Sequence, residues 1–408
     1  MDAPARLALS VHHIGGRAGT RCFPILPFFE RDIVSVLYEA DTSSLAGIRA
    51  ATKDLPSKTI ILGDCLSGEA GPRPFHIYIN RYLSSLYPLL SKHTDQYSFD
   101  TQFGWDDDPV SKSLVETRVF ETVTLDQIIE REAGRVPAPN FLSLDTQGSE
   151  LEILKGAGAT IESNVVAIMS EVEFVPVYQD QPLIGDVVAY LGEKGFELAS
   201  LEIFPTSGAS TRTPIGLRGK RFPQAGEALF LRRPETLTDH PDRTSLLLKL
   251  AFISFFFIYF GWTHKVISSL SGDQIPAMDE SMDQGADQSL GYLLFLKGYS
   301  EIIKSYPALY PVKYSDVSPP NRSAARFMRG LGTVNYDFVQ AEYLGTRDPA
   351  AFTEDLSKIL SDDFIGIEAL AQQFQLNDHA ELLRDNRREQ ADAVMKWLRM
   401  ERSGPDSS

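Results

Sequence analysis

The chain has 408 residues, is 43% hydrophobic and 23% charged, and carries a formal net charge of −16. Such a length exceeds what one ordinary core serves, so two domains are expected. The acidic balance argues against broad binding of a nucleic-acid backbone, which needs clustered Lys and Arg, and suits a small cationic ligand.

Residues 7–235 alternate between strand and helix patterns. Strands are expected at LALSVHH (7–13), IVSVLYE (33–39), KTIIL (58–62), FLSLD (141–145) and VVAIMSEV (165–172). Most are apolar almost throughout, the pattern of strands buried on both faces of a parallel sheet. The stretch 63–118 is irregular. It opens on the Gly/Pro-rich loop GDCLSGEAGPRP and continues with aromatics, hydroxyls and charges, so it reads as substrate loops or as a surface excursion. DVVAYLGEKG (186–195) is an amphipathic helix with Gly195 as its stop. FELASLEIF (196–204) and EALFLRR (227–233) follow as strands with no helix between them, which predicts an antiparallel edge. The class is α/β, a doubly wound and mostly parallel Rossmann-like sheet.

After Arg233 the composition changes. Residues 236–245 read as a linker, 246–400 as an all-α domain and 401–408 as a disordered tail. The uninterrupted apolar run Leu250–Trp262 falls short of the roughly 20 residues that cross a bilayer. A buried core helix is the favoured reading, and a helix that meets a membrane surface or a partner is the alternative. Two cysteines, Cys22 and Cys65, argue against a disulfide framework, and with no secretory signal pattern in MDAPARLALSVHH the expected compartment is the cytoplasm. The histidines are scattered without zinc-ligand spacing.

Three places carry polar groups at strand ends. HHIGGRAGT puts Gly15, Gly16 and Gly19 directly after the first strand, where they permit a sharp turn and close approach to a ligand, or simply a tight turn. The second strand ends at Glu39, where an acid can hydrogen-bond the ribose hydroxyls of a nucleoside cofactor. The glycine spacing departs from the dinucleotide fingerprint, and Pro24 and Pro27 disfavour a phosphate-facing helix soon after it. In FLSLDTQGSELEILKGAG, Asp145 ends a central strand at the sheet edge where α/β folds bind ligands, and Gln147 shares its turn. Ser149 and Glu152 have the spacing of a capping box, while Glu150 serves either the helix dipole or a ligand. In SEVEFVPVY, Glu171 and Glu173 share a strand face, as general base and ligand anchor or as a solvated acid pair.

Asp145, Gly148, Glu150, Leu154 and Gly156 occupy the positions of an Asp-x-x-Gly-x-Glu-x-x-x-Leu-x-Gly signature. With SEVEFVP…QPL after it and TVTLDQII (122–129) before it, residues 7–235 resemble the FkbM family of S-adenosylmethionine-dependent methyltransferases. The resemblance implies a class I methyltransferase sheet with S-adenosyl-L-methionine as cofactor. It implies that Gly15, Gly16 and Gly19 line the methionine end, that Glu39 holds the ribose and that Asp64–Cys65 border the adenine. Asp145 would sit beside the sulfonium, with Asp145, Glu171 and Glu173 as base candidates and Gln147, Glu150 and Tyr178 toward the acceptor. That acceptor would be a hydroxyl on a sugar, glycan or glycosylated metabolite. Two positions depart from the family pattern: His13 replaces an acid before the first glycine, and Arg17 replaces an Asn. They motivate an alternative, a non-catalytic methyltransferase-like scaffold whose helical half is an interaction module, with homo-oligomer contacts assigned to that half. A nicotinamide-dependent oxidoreductase is disfavoured by the glycine spacing.

Overall fold

The computed structural model describes residues 9–15, 33–53, 58–90, 97–98, 110, 112–203, 208–209, 223–257 and 259–270. The expectations for 271–400, and for the tail at 401–408, lie outside the described residues. In chain order the first elements are β1 (Leu9–Ile14), β2 (Ile33–Tyr38), α1 (Leu45–Thr52), β3 (Lys58–Leu62), β4 (Cys65–Leu66), β5 (Gly71–Tyr78), β6 (Tyr97–Ser98) and β7 (Leu114–Val123). Then come α2 (Leu125–Arg131), β8 (Phe141–Leu144), α3 (Glu150–Lys155), α4 (Gly158–Ser163), β9 (Ala167–Glu173), α5 (Ile184–Glu193), β10 (Phe196–Ile203), β11 (Gly208–Ala209) and β12 (Ala225–Arg232). Two further helices, α6 (Arg243–Phe256) and α7 (Phe260–Ser268), end the described part.

The main sheet has seven strands in the order β10-β12-β9-β8-β1-β2-β3. Pairings from β9 through β8, β1 and β2 to β3 are parallel, and only β12 runs against its neighbours. The expected antiparallel edge forms between β10 and β12; the reversed strand is β12, one place in, and the outermost strand β10 runs with the others. Burial explains the order. Ala228, Leu229, Phe230 and Leu231 of β12 are all almost fully buried, so β12 needs a neighbour on each side, whereas β10 exposes Leu198 and Ile203 and tolerates an open edge.

From β1 the chain builds outward to β3, then returns to place β8 on the other side of β1. The strand order reverses between β1 and β8, and such a switch point opens a crevice at the carboxyl ends of the strands. One sheet face packs Ile14, Val36, Tyr38, Leu142, Leu144 and Ile168 against Leu125, Ile128, Leu154, Ile161, Val187 and Leu191. Helix α2 starts at a true capping box, with Gln127 N–H donating to Thr124 Oγ1 and Thr124 N–H to Gln127 Oε1, both at 3.1 Å. Asp126 then accepts from the first backbone N–H groups of α4, at Ala159 (3.0 Å) and Thr160 (2.8 Å).

The capping box expected at Ser149 and Glu152 does not form. Ser149 makes no side-chain cap, and its hydroxyl turns back to Thr146. Glu152 instead reaches a second sheet, ordered β4-β7-β5, that arises within the stretch read as irregular. Its carboxylate accepts from Ser67 Oγ and Arg73 Nη1 on one oxygen and from Tyr87 Oη (2.7 Å) on the other. Burial pushes the Glu152 carboxyl up, but these hydrogen bonds outweigh it and hold the group below its usual range. We expect Glu152→Ala to destabilise the fold by about 1–3 kcal/mol, the cost of stranding half-buried donors. Urea unfolding of the two proteins measures the difference, and an unchanged midpoint would contradict this anchoring role.

In the stretch expected to be a linker, 236–245, most residues are exposed and only Leu237 is buried. Pro234–Leu237 form a 3-10 turn with Pro234 and Leu237 buried, and α6 begins at Arg243. The single helix expected over the apolar run is two helices. Leu246, Leu247, Leu250, Phe252 and Ile253 of α6 are buried, and the chain breaks at 257–259 before α7. The chain divides into two compact units near Leu250. Within the second, the Ser254 and Thr263 hydroxyls hydrogen-bond at 2.8 Å across the break. Among the described residues no helix is long and apolar enough to cross a membrane.

Candidate active site

At the switch point the parallel ladder runs one residue past the strands. Asp145 N–H donates to Ile14 O (3.0 Å), Gly15 N–H to Tyr38 O (3.1 Å) and Glu39 N–H to Leu62 O (3.0 Å). Gly15, Glu39 and Asp145 are thereby fixed at the sheet's carboxyl edge. They line a cleft of about 740 Å³, counting its open mouth. Asp64, Cys65 and Gln147 also line it. The remaining wall comes from residues the sequence reading did not single out: Tyr38, Phe75, Arg81, Tyr82, Ser84, Leu86 and Thr146. Tyr38 could have been found, since it adjoins Glu39 at a strand end. Phe75 to Leu86 fall inside the irregular stretch, where no periodicity marks any one residue. Gly16 and Gly19 lie outside the described residues.

Glu39 is buried, and one carboxylate oxygen accepts from Asp41 N–H at 2.7 Å, which fixes the side chain at the cleft wall. Tyr38 is held by the strand before it. His12 Nε2 lies 2.9 Å from Pro137 O, an acceptor only, so the ring carries its proton there and Nδ1 accepts from Tyr38 Oη at 3.0 Å. Burial lowers the His12 pKa to about 3, so this ring stays neutral. Asp64 is bound by Arg131 Nη2 through both oxygens, at 3.0 and 2.9 Å. Cys65 is a buried free thiol pushed up to about 12, chiefly by burial, and is not a thiolate nucleophile.

The turn after β8 is held by buried groups behind the cleft. Gln147 adopts φ +59°, a left-handed conformation uncommon outside glycine, and Gly148 follows at φ +102°. Glu150 clamps this turn, accepting from Thr146 N–H (2.6 Å), Thr146 Oγ1 (3.0 Å) and Gly148 N–H (3.0 Å). Its carboxyl is raised, mainly by burial. Gln147 Nε2 donates to Asp145 Oδ1 at 2.9 Å and to Glu171 Oε2 at 2.8 Å, while its Oε1 lies 3.1 Å from Tyr178 Oη. Tyr178 Oη also lies 3.0 Å from Leu83 O. Strained backbone over-determined by such contacts is common where a side chain must be aimed.

Asp145 is exposed to the cleft, whereas Glu171 is half-buried and Glu173 buried. Glu171 is raised well above the usual carboxylate range by burial, by the charges of Asp145, Glu173 and Glu150 and by a hydrogen bond shared with Asp145. Glu173 is also raised, by burial and by Glu150. His13 sits beneath this corner, buried, with Nδ1 3.0 Å from Ser143 Oγ, and burial lowers its pKa. The structure thus brings together Asp145, Gln147, Gly15, Glu39, Asp64 and Cys65 on the cleft wall. It sets Glu150, Glu171, Glu173 and Tyr178 behind that wall, none of them among the lining residues. Among the described residues no cluster is suited to a metal ion.

A mostly parallel sheet with one reversed strand, and acids at the ends of β2 and β8 facing one cleft, define a mixed α/β fold consistent with a methyltransferase. Residues 50–198 match the family model of the methyltransferase FkbM domain. No curated protein and no solved structure matches the chain.

Proposed function

We propose that the protein is an S-adenosyl-L-methionine-dependent O-methyltransferase acting on a hydroxyl of a sugar, glycan or glycosylated metabolite. The observation that carries this reading is the placement of Glu39 and Asp145 on either side of the switch point in one cleft. The residues present fit the cofactor. Glu39 offers a fixed carboxylate for ribose hydroxyls, and the acids Glu39, Asp64 and Asp145 suit a cationic ligand. When bound, the cofactor supplies an electrophilic methyl group whose bond to sulfur breaks as the acceptor oxygen–carbon bond forms, the electron pair staying on sulfur. Asp145 accepts the hydroxyl proton, Gln147 aims its carboxylate, and Glu171, raised above the usual carboxylate range, shares a hydrogen bond with it.

Titration calorimetry on the purified chain tests the cofactor assignment. S-adenosylmethionine should bind, and Glu39→Ala should weaken binding by roughly tenfold or more, as loss of a charge-assisted hydrogen-bond pair does. Asp145→Ala should weaken it less. Absence of binding at millimolar cofactor in a folded sample rejects the proposal.

A further inference from the structure

Among the described residues the cleft wall contains one cation. Arg81 lies in the 3-10 turn Arg81–Leu83, and the other charged lining residues are Glu39, Asp64 and Asp145. Asp64 is already paired with Arg131. Among the described residues the Arg81 guanidinium makes no ion pair or hydrogen bond, although several neighbouring backbone groups are tied down. Asn80 caps the turn through Tyr82 N–H at 3.1 Å. Tyr178 Oη reaches Leu83 O, Ser85 Oγ donates to Gln147 O at 2.7 Å, and Leu90 N–H donates to Val177 O at 2.9 Å. The turn is thus stitched to the segment that carries Gln147, the residue that aims Asp145. Phe75, Tyr82 and Leu86 add an apolar wall to the same cleft, and Tyr82 stays 49% exposed.

A guanidinium left without a partner on a fixed backbone, in a chain of net charge −16, has a specific use. The overall field repels anions, so an anionic ligand needs a local fork of donors to be held. Arg provides that fork for carboxylate and phosphate alike. Resting on the methyltransferase reading, we propose that Arg81 anchors an anionic acceptor, a hydroxylated ring bearing a carboxylate or a phosphate, with the hydroxyl to be methylated directed at Asp145. The acids after β2 and β3 remain for the cationic cofactor.

The test is calorimetric, on the full chain saturated with S-adenosylhomocysteine. Methyl glucuronide and glucose 6-phosphate are titrated against the neutral control methyl glucoside, with Arg81→Gln and Arg81→Lys beside the wild type. At least one charged sugar should bind about tenfold more tightly than the neutral one, as a charge-assisted pair allows. Arg81→Gln should abolish that preference, and Arg81→Lys should retain part of it. Which charged sugar wins separates a carboxylate from a phosphate as the anchored group. Equal binding of charged and neutral sugars, no binding of either charged sugar, or a preference that survives in Arg81→Gln overturns the proposal. So does a loss of S-adenosylhomocysteine affinity in Arg81→Gln, which would assign the guanidinium to the cofactor's own carboxylate. A wild type that binds no S-adenosylhomocysteine at all removes the cofactor reading itself, and the first titration tells that outcome apart from the others.

Discussion

Asp145→Asn is expected to slow methyl transfer by ~10²–10⁴-fold, the usual contribution of a positioned general base, while cofactor affinity changes little. The reason lies in the donors around it. Gln147 Nε2 points at Asp145 Oδ1, so an Asn would turn its own oxygen to Gln147 and present its NH₂ to the acceptor. A donor would then face the hydroxyl where an acceptor is required. Fold and cleft should persist, because the backbone N–H of residue 145, not its side chain, extends the β1–β8 ladder. Transfer of a labelled methyl group in an acceptor screen, read beside calorimetric cofactor binding, separates catalysis from folding. A variant with wild-type turnover would remove Asp145 from the chemistry.

The same geometry sets a pH dependence. Glu171 is raised by burial and by the charges of Asp145, Glu173 and Glu150, and it is linked to Asp145 through Gln147 Nε2. As pH rises through the raised Glu171 value its proton leaves, and the corner that takes up the hydroxyl proton gains negative charge. The rate should therefore climb with pH over that range, and the climb should vanish in Glu171→Gln. The linked effect on stability has the opposite sign. A carboxyl raised on folding contributes stability that is present at low pH and lost as pH rises through the raised value.

The sheet was legible where its strands are buried on both faces. KTIIL is β3 residue for residue, and the other parallel strands lie within a few residues of their apolar runs. Burial on two faces removes the polar positions that would blur such a run. The second sheet was illegible for the opposite reason. Its strand β5 reads GPRPFHIY, and two prolines in a row of alternate positions look like loop. They are tolerated because β5 lies at the edge of its sheet, where missing N–H groups break no ladder. Glu152 was misassigned because a capping box is a local rule, whereas its partner Arg73 is distant in sequence and close only in the fold. The placement of β12 inside β10 likewise depends on which strand needs two neighbours. Asp145 and Glu39 stood out as acids that end apolar strands. Arg81, in a short turn without periodicity, carried no such mark.

Gly15→Ala should be the most damaging single substitution at the cleft, with a loss on the order of 4 kcal/mol or more, a size reserved for core and backbone disruption. Two penalties combine. Gly15 sits at φ +99°, a region L-residues rarely adopt. An added Cβ would also lie 1.9 Å from the Asp145 carbonyl oxygen and 2.9 Å from its carbonyl carbon, both backbone atoms that no side-chain rotation can move aside. Relief requires β1 and β8 to part at their carboxyl ends, which breaks the Asp145 N–H to Ile14 O bond that sets the cleft corner. The damage should be both to stability and to binding. Soluble yield and the unfolding midpoint should fall, and any folded fraction should have lost cofactor affinity, because Asp145 and Glu39 no longer share a fixed frame. A Gly15→Ala protein that unfolds at the wild-type midpoint and binds cofactor normally would mean that β1 and β8 do not approach each other this closely at the switch point.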